Sequence, residues 1–248
     1  CIICSRAYTG QAGELKIGGT METFGTVYLH SSAGSKDNYS AYGEFRFRPT
    51  ISYTPSDKLL FYIEGDFRAD SQGFAEGYID SVVEDQRRWI VDVREVYTEY
   101  KFDWFRARIG KQLFDWSVTD TISPSDNINA RDWTDVIEFE RVGVPAIDLR
   151  AGRNTYAELV YIPWFTPSKL PPMGDRWDRE LPPGLLRGAQ DTPGMNNGQL
   201  SIRGGISIGG FDIGAVYYRG YSYSPAYRIA PLALELLQLI PTYRLEDV

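Results

Sequence analysis

A chain of 248 residues, 43% of them hydrophobic and 24% charged, is long enough for one large all-β domain, and nothing in its composition requires two. A formal net charge of -7 offers no basic stripe to neutralise phosphates and excludes a nucleic-acid partner. The longest apolar run, residues 229–240, is interrupted by Pro231 and Glu235, which excludes a transmembrane helix. Seventeen Tyr, 12 Phe and 6 Trp beside 24 Gly fit strands whose ends rest at a membrane interface, and equally a soluble sugar-binding sandwich.

In chain order, Cys1 and Cys4 come first and are the two cysteines of the chain, too few for a disulfide framework or a zinc site. Residues 1–17 read as the remnant of a signal peptide or an N-terminal tail, with Gly10-Gln11-Ala12 as a small-x-small cleavage site. An alternative makes Cys1 the lipid-bearing first residue of a lipoprotein. Residues 18–248 read as a single barrel segment that begins with a strand over 18–29.

Period-two alternation then carries the argument, because successive side chains of a strand face opposite sides. Over 45–53, Phe45, Phe47, Ile51 and Tyr53 oppose Arg46, Arg48, Thr50 and Ser52. Over 59–69, Leu59, Phe61, Ile63, Phe67 and Ala69 oppose Tyr62, Glu64, Asp66 and Arg68. Further strands are expected over 89–93, 105–112, 145–151, 156–163, 200–208 and 211–221, about nine in all. The phase slips by one around Arg94 and Glu95, which predicts a β-bulge.

The links between these strands alternate in length. Residues 54–57, 103–104, 153–154 and 209–210 make short links, whereas 31–38, 71–88, 116–135, 165–197 and 222–240 make long loops. Short periplasmic turns and long outside loops are the pattern of an antiparallel transmembrane β-barrel of the bacterial outer membrane, and that all-β fold is the expectation. An odd strand number leaves an edge that lipid does not tolerate. The barrel is therefore expected to be incomplete here, or closed by strands not in view.

On the inferred inner face stand Glu44, Arg46, Arg48, Glu64, Asp66, Arg68, Arg106, Arg108, Asp148, Arg150 and Arg203. They are the candidate pore lining, whose fields would select a solute, or they pair across strands and fill a narrow barrel. The loop carrying Asp115, Trp116, Asp120, Asp126, Asn129, Arg131 and Asp132 is a candidate constriction loop folded into the pore. Its oxygen ligands also suit calcium, although their spacing matches no EF-hand or RTX-type pattern, and a hydrogen-bonded Asx-rich loop is the third reading. His30, the single histidine, reads as a rim residue. No nucleophile elbow, phosphate loop or haem-attachment motif occurs, so neither an enzyme nor a cofactor is expected.

The stretch Val93-Arg94-Glu95-Val96-Tyr97, then Arg106-Ala107-Arg108-Ile109-Gly110-Lys111-Gln112 leading to Asp115-Trp116, then Asp120 and Ser125-Asp126-Asn127-Ile128-Asn129-Ala130-Arg131-Asp132 resembles a family. It is similar to the porin-like outer-membrane proteins of uncharacterised function that lie near the alginate-export type barrels. Residues 158–171, with Pro163, Phe165 and Pro167, resemble the strand and loop that end in that family's Pro-x-Phe-x-Pro pattern. Ser117 stands where the family usually has Gly, and Ala130 where it usually has Pro. Members are longer and end on a strand with a terminal aromatic, whereas this chain stops at Val248. The resemblance implies passage of a small or oligomeric solute across the outer membrane and no particular solute. The alternative expectation is a barrel that serves as sleeve or anchor in a multiprotein envelope assembly. Outer-membrane lipid and envelope proteins are the expected partners.

Overall fold

A computed structural model of the chain describes residues 13–29, 40–71, 90–117, 126–134, 140–171, 177, 185–188, 190–194, 197–233 and 236–247. The strands in chain order are β1 (Glu14–Val27), β2 (Ala41–Ser56), β3 (Leu59–Asp70), β4 (Val91–Lys101), β5 (Phe105–Gln112), β6 (Ala130–Asp132), β7 (Glu140–Val142), β8 (Val144–Gly152), β9 (Thr155–Ile162), β10 (Leu185–Arg187), β11 (Gln199–Ile208), β12 (Phe211–Tyr221), β13 (Ala226–Ala233), β14 (Leu236–Thr242) and β15 (Leu245–Asp247). Ten of them form one antiparallel sheet in the order β1-β2-β3-β4-β5-β8-β9-β11-β12-β15. Nine of these ten overlap the nine alternating segments of the sequence, and each neighbours the next in chain order.

The four short links between β2 and β3, β4 and β5, β8 and β9, and β11 and β12 lie at one end of the sheet, and the long connections lie at the other. One two-residue link is Gly209-Gly210, with φ of +59° and +86°. Two consecutive left-handed residues match the right-handed twist of the flanking strands, and glycine adopts them at no steric cost. Gly152, at the turn into β9, has φ of +94°, and a Cβ there would lie 2.0 Å from the Thr155 carbonyl oxygen. Only glycine fits.

The sheet has one face covered and one open, and the usual order of a soluble protein is reversed on them. On β2, Glu44 and Arg46 are each 3% exposed, whereas their neighbours Phe45 and Phe47 are 39% and 37% exposed. On β3, Glu64, Asp66 and Arg68 are buried while Phe61, Ile63 and Phe67 face out. The β-bulge sits where the phase slip placed it: Glu64 pairs with Glu95 and Gly65 with Val93, leaving Arg94 as the extra residue. Beyond it the inward positions of β4 become odd-numbered, which turns Glu99 to the covered face at 2% exposure.

Three expectations need correction. The sheet has ten strands, because β15 adds to the end of β12 through Arg219, Gly220 and Tyr221, a three-residue pairing too short to register as alternation. Residues 222–240 are not simply a loop: β13 and β14 pair within them, and β10 joins β14 in parallel. Residues 229–233 and 236–240 of the apolar run are therefore strand. The strand expected over 89–93 runs instead over Val91–Lys101, since the bulge breaks the period that would have revealed its second half. Among the described residues the sheet is open, with β1 at one edge and β15 at the other.

An apolar core lies on the covered face toward the long-connection end. Val144 and Ala146 of β8 and Val160 and Ile162 of β9 pack there with Phe114, Trp116, Ile128, Ala130, Phe165, Tyr223 and Tyr243. Phe165 joins the tyrosines directly, with ring centroids 5.2 Å from Tyr223 and 4.7 Å from Tyr243. It ties two long connections, β9 to β11 and β12 to β15, to one floor.

The turn geometry gives a first test. Gly152→Ala forces a side chain into a left-handed position against backbone and should cost about 1–3 kcal/mol. Gly209→Asn, where nothing lies near and Asn tolerates the conformation, should cost much less. Urea unfolding midpoints of the two variants in detergent would measure the difference.

Candidate functional site

All eleven candidate lining residues lie on strands of the large sheet, and the structure connects them into ion-pair networks on its covered face. Along β2, Arg46 donates to Glu44 at 2.7 Å, and on β3 Arg68 donates to Asp66 at 2.7 Å. Arg48 crosses between the strands to Asp66 at 3.2 Å. These are neighbouring rows of one strand pair, where opposite charges at i and i+2 or across the ladder come within reach.

The centre of this network comes from outside the strands that alternate. Glu140, on β7, accepts hydrogen bonds from Arg46 at 2.9 Å, Arg48 at 2.5 Å and Arg68 at 2.7 Å. Burial acts to raise the Glu140 pKa, but the guanidiniums of Arg68, Arg48 and Arg46 outweigh it and hold the carboxyl well below the usual carboxylate range. Sequence reasoning missed this residue, because a three-residue strand inside a long connection shows no period.

A second network occupies β4, β5, β8, β9 and β11. Arg108 donates to Glu99 at 2.6 Å, Arg106 to Asp148 at 2.7 Å and Arg203 to Glu158 at 2.6 Å. Arg106 also reaches Glu158 at 3.2 Å, and Arg150 lies 3.7 Å from it. Aromatic faces complete the arginine shells: Arg108 lies over Tyr97 at 4.3 Å, Arg150 over Tyr156 at 4.1 Å and Arg203 over Trp116 at 4.5 Å. Glu99 and Glu158 are further residues absent from the sequence-derived lining. Glu158 was within reach of it, since it alternates with Val160 and Ile162 on β9.

The connection between β5 and β8 turns back over the covered face. Asn129, 1% exposed, accepts from the Phe114 amide at 3.1 Å and donates to the Phe114 carbonyl. It replaces a strand partner for a backbone that has left the sheet, satisfying both groups as burial requires. Trp116 and Asp132 are buried as well, at 4% and 5% exposure. Arg131 and Arg141 converge on Asp126, Arg141 at 2.7 Å, and Arg141 also donates to Asp115 at 3.0 Å. The Asp132 carboxylate accepts from the Thr134 amide at 3.0 Å and from its hydroxyl. Asp126 thus pairs with arginines, and no group of three His, Cys, Asp or Glu suited to a metal ion occurs among the described residues. Asp120 and His30 lie outside the described residues.

Between this folded connection and the strands lies a small mixed-charge cleft of about 30 Å³. Most of its charges are mutually committed: Arg68 to Asp66 and Glu140, Arg141 to Asp126, and Lys111 to Asp92 at 3.3 Å. Lys169 enters it from the connection after β9. Burial lowers the pKa of its amine below the ordinary lysine range, and the Asp132 carboxylate acts against that shift.

No protein-family model and no curated protein matches the chain. The resemblance of residues 93–171 to porin-like barrels thus rests on the motifs themselves.

Glu140 supplies the second test. Glu140→Gln leaves three inward arginines short of a carboxylate and should destabilise the protein by roughly 3–5 kcal/mol, the cost of breaking a buried ion pair from one side. Because its folded pKa is depressed, Glu140 contributes stability that is fully present above the unfolded carboxylate range of about 4.3 and is lost as pH falls below it. Urea titrations between pH 7 and about pH 3 should show less loss of stability in the variant than in the wild type.

Proposed function

We propose that this chain is a segment of a bacterial outer-membrane β-barrel that passes a small or oligomeric solute through a lumen lined by mixed charges. The observation that carries this reading is the inversion of the ten-stranded sheet, apolar side chains out and charges in. Water gives no reason to expose Phe45, Ile51, Phe61 and Ile63 in register on adjacent strands, whereas hydrocarbon does. Unequal connections at the two ends of the sheet support the same reading, since the two ends of such a barrel face different compartments. In this proposal the connection from β5 to β8 is the constriction, and Glu140 with its three arginines is part of the filter.

Single-channel recording tests the transport reading. The intact protein reconstituted in planar bilayers is expected to give discrete conductance steps. A folded, inserted barrel that never conducts overturns it.

The membrane reading has a separate test at Ile63, which is 39% exposed near the middle of β3. Ile63→Arg should lose about 2–4 kcal/mol of folding stability in lipid vesicles if this position faces the bilayer midplane. In a soluble protein an exposed substitution of this kind costs within about 0.5 kcal/mol.

One observation favours a second reading, a sleeve or anchor in an envelope assembly. The inner charges satisfy one another, as Glu158 does with Arg106 and Arg203, and so leave fewer of them for a passing solute. Stoichiometric partners co-purifying from native membranes would support it, and elution of the barrel alone after mild solubilisation would argue against it.

A further inference from the structure

One cross-strand row of the covered face carries more cations than its carboxylates bind. The register aligns Lys101, Arg106, Arg150, Glu158 and Arg203 on β4, β5, β8, β9 and β11. Lys101 pairs at 2.7 Å with Glu99, the carboxylate that also holds Arg108. Arg106 is shared by Asp148 and Glu158, and Arg203 spends its Nε and one terminal nitrogen on a single Glu158 oxygen. Arg150 is left over. Its one ionic contact is Glu158 at 3.7 Å, it makes no hydrogen bond to a described residue, and 31% of its side chain is exposed. Lys101 and four arginines thus stand against Glu99, Asp148 and Glu158, a surplus of two positive charges. No other carboxylate of the described residues lies within ion-pair distance of these cations.

The next row toward the short turns gives that surplus room to meet a ligand. It reads Gly152, Tyr156, Gly205 and Gly214 across β8, β9, β11 and β12, so only Tyr156 places a side chain there. A Cβ at Gly205 would lie 2.7 Å from the Tyr156 ring, so the ring lies over the glycine. Arg150 and Arg203 rest against this one ring, 4.1 and 5.5 Å from its centroid, and reach the same Glu158 oxygen, at 3.7 and 2.6 Å. The two guanidiniums converge at the edge of an open shelf, held by stacking before any ligand arrives.

We infer that this shelf binds one phosphate group, with Arg150 and Arg203 as its donors. A guanidinium grips a tetrahedral oxyanion through two parallel N–H···O bonds. Arg150 has its donors free of protein acceptors, and Arg203 keeps one terminal nitrogen unspent. A dianion balances the surplus of two, whereas a carboxylate leaves one charge over and a cation is repelled. The proposal names a solute class for the lumen described above and to that extent rests on the transport reading. Binding itself requires no conduction.

Calorimetric titration of the purified full chain in detergent tests it, at constant ionic strength and about pH 8, where phosphate is a dianion. Inorganic phosphate is expected to bind saturably at one site per chain, and sodium acetate at least about tenfold more weakly. Arg150→Gln and Arg203→Gln should each weaken phosphate at least about tenfold, the range for losing a hydrogen bond to a charged group. Arg228→Gln, exposed on β13, should leave it unchanged. Phenyl phosphate binding as well as the free ion assigns the site to a phosphate carried on a larger solute, and its exclusion assigns the site to the free ion; either supports the proposal. Absence of saturable phosphate binding overturns it. So does equal binding of acetate, or an equal loss in Arg228→Gln, each of which marks charge screening alone. Arg150 makes only the long contact to Glu158, so Arg150→Gln decides the question if Arg203→Gln fails to fold. A barrel that conducts without binding phosphate fails this proposal alone, and one that binds phosphate without conducting fails the transport reading alone.

Discussion

Arginine and carboxylate side chains alternate along the covered face of the large sheet, and a charge held there without a partner costs several kcal/mol. Every other feature of the interior answers to that constraint. Arg46, Arg48 and Arg68 on adjacent strands outnumber the carboxylates Glu44 and Asp66 beside them, so the local charge must be balanced from elsewhere. Glu140 does so, and the small β6–β7 pair is thereby tied to the face, where Ala130 and Val142 also join the apolar core.

The covered face is divided in its chemistry. On β5, β8 and β9, charges such as Arg106, Arg150 and Glu158 stand nearer the short turns, and the apolar residues Val144, Ala146 and Ile162 nearer the long connections. This arrangement gives the connections something to pack on. Phe114, Trp116 and Phe165 bury against that floor, and Asn129 replaces the lost ladder bonds where the chain leaves β5. The cleft that Lys169 borders lies where the folded connection meets the strands.

The open face obeys a simpler rule. Its residues need only be apolar, and no particular contact is required of them. This explains why β1, at the edge of the sheet, keeps Leu15, Ile17 and Met21 at 58%, 74% and 68% exposure, and why the outward pattern is the most regular feature of the chain. The inward pattern is less regular because it must also accommodate the bulge at Arg94 and the arriving connection.

Alternation is a property of the backbone pleat, so nine of the ten strands of the large sheet, the two faces of each and the bulge at Arg94 follow from the local order of residues alone. The eleven charges expected together lie on the covered face of the large sheet. Glu99 escaped because the bulge reversed the phase ahead of it, and β15 escaped because three residues carry no period. Tertiary structure alone decided that residues 46, 48 and 68 meet residue 140, and that residues 94 and 169 border one cleft. Those contacts join segments tens of residues apart through connections without periodicity. Their position is set by charge balance and packing in three dimensions, which no local pattern records.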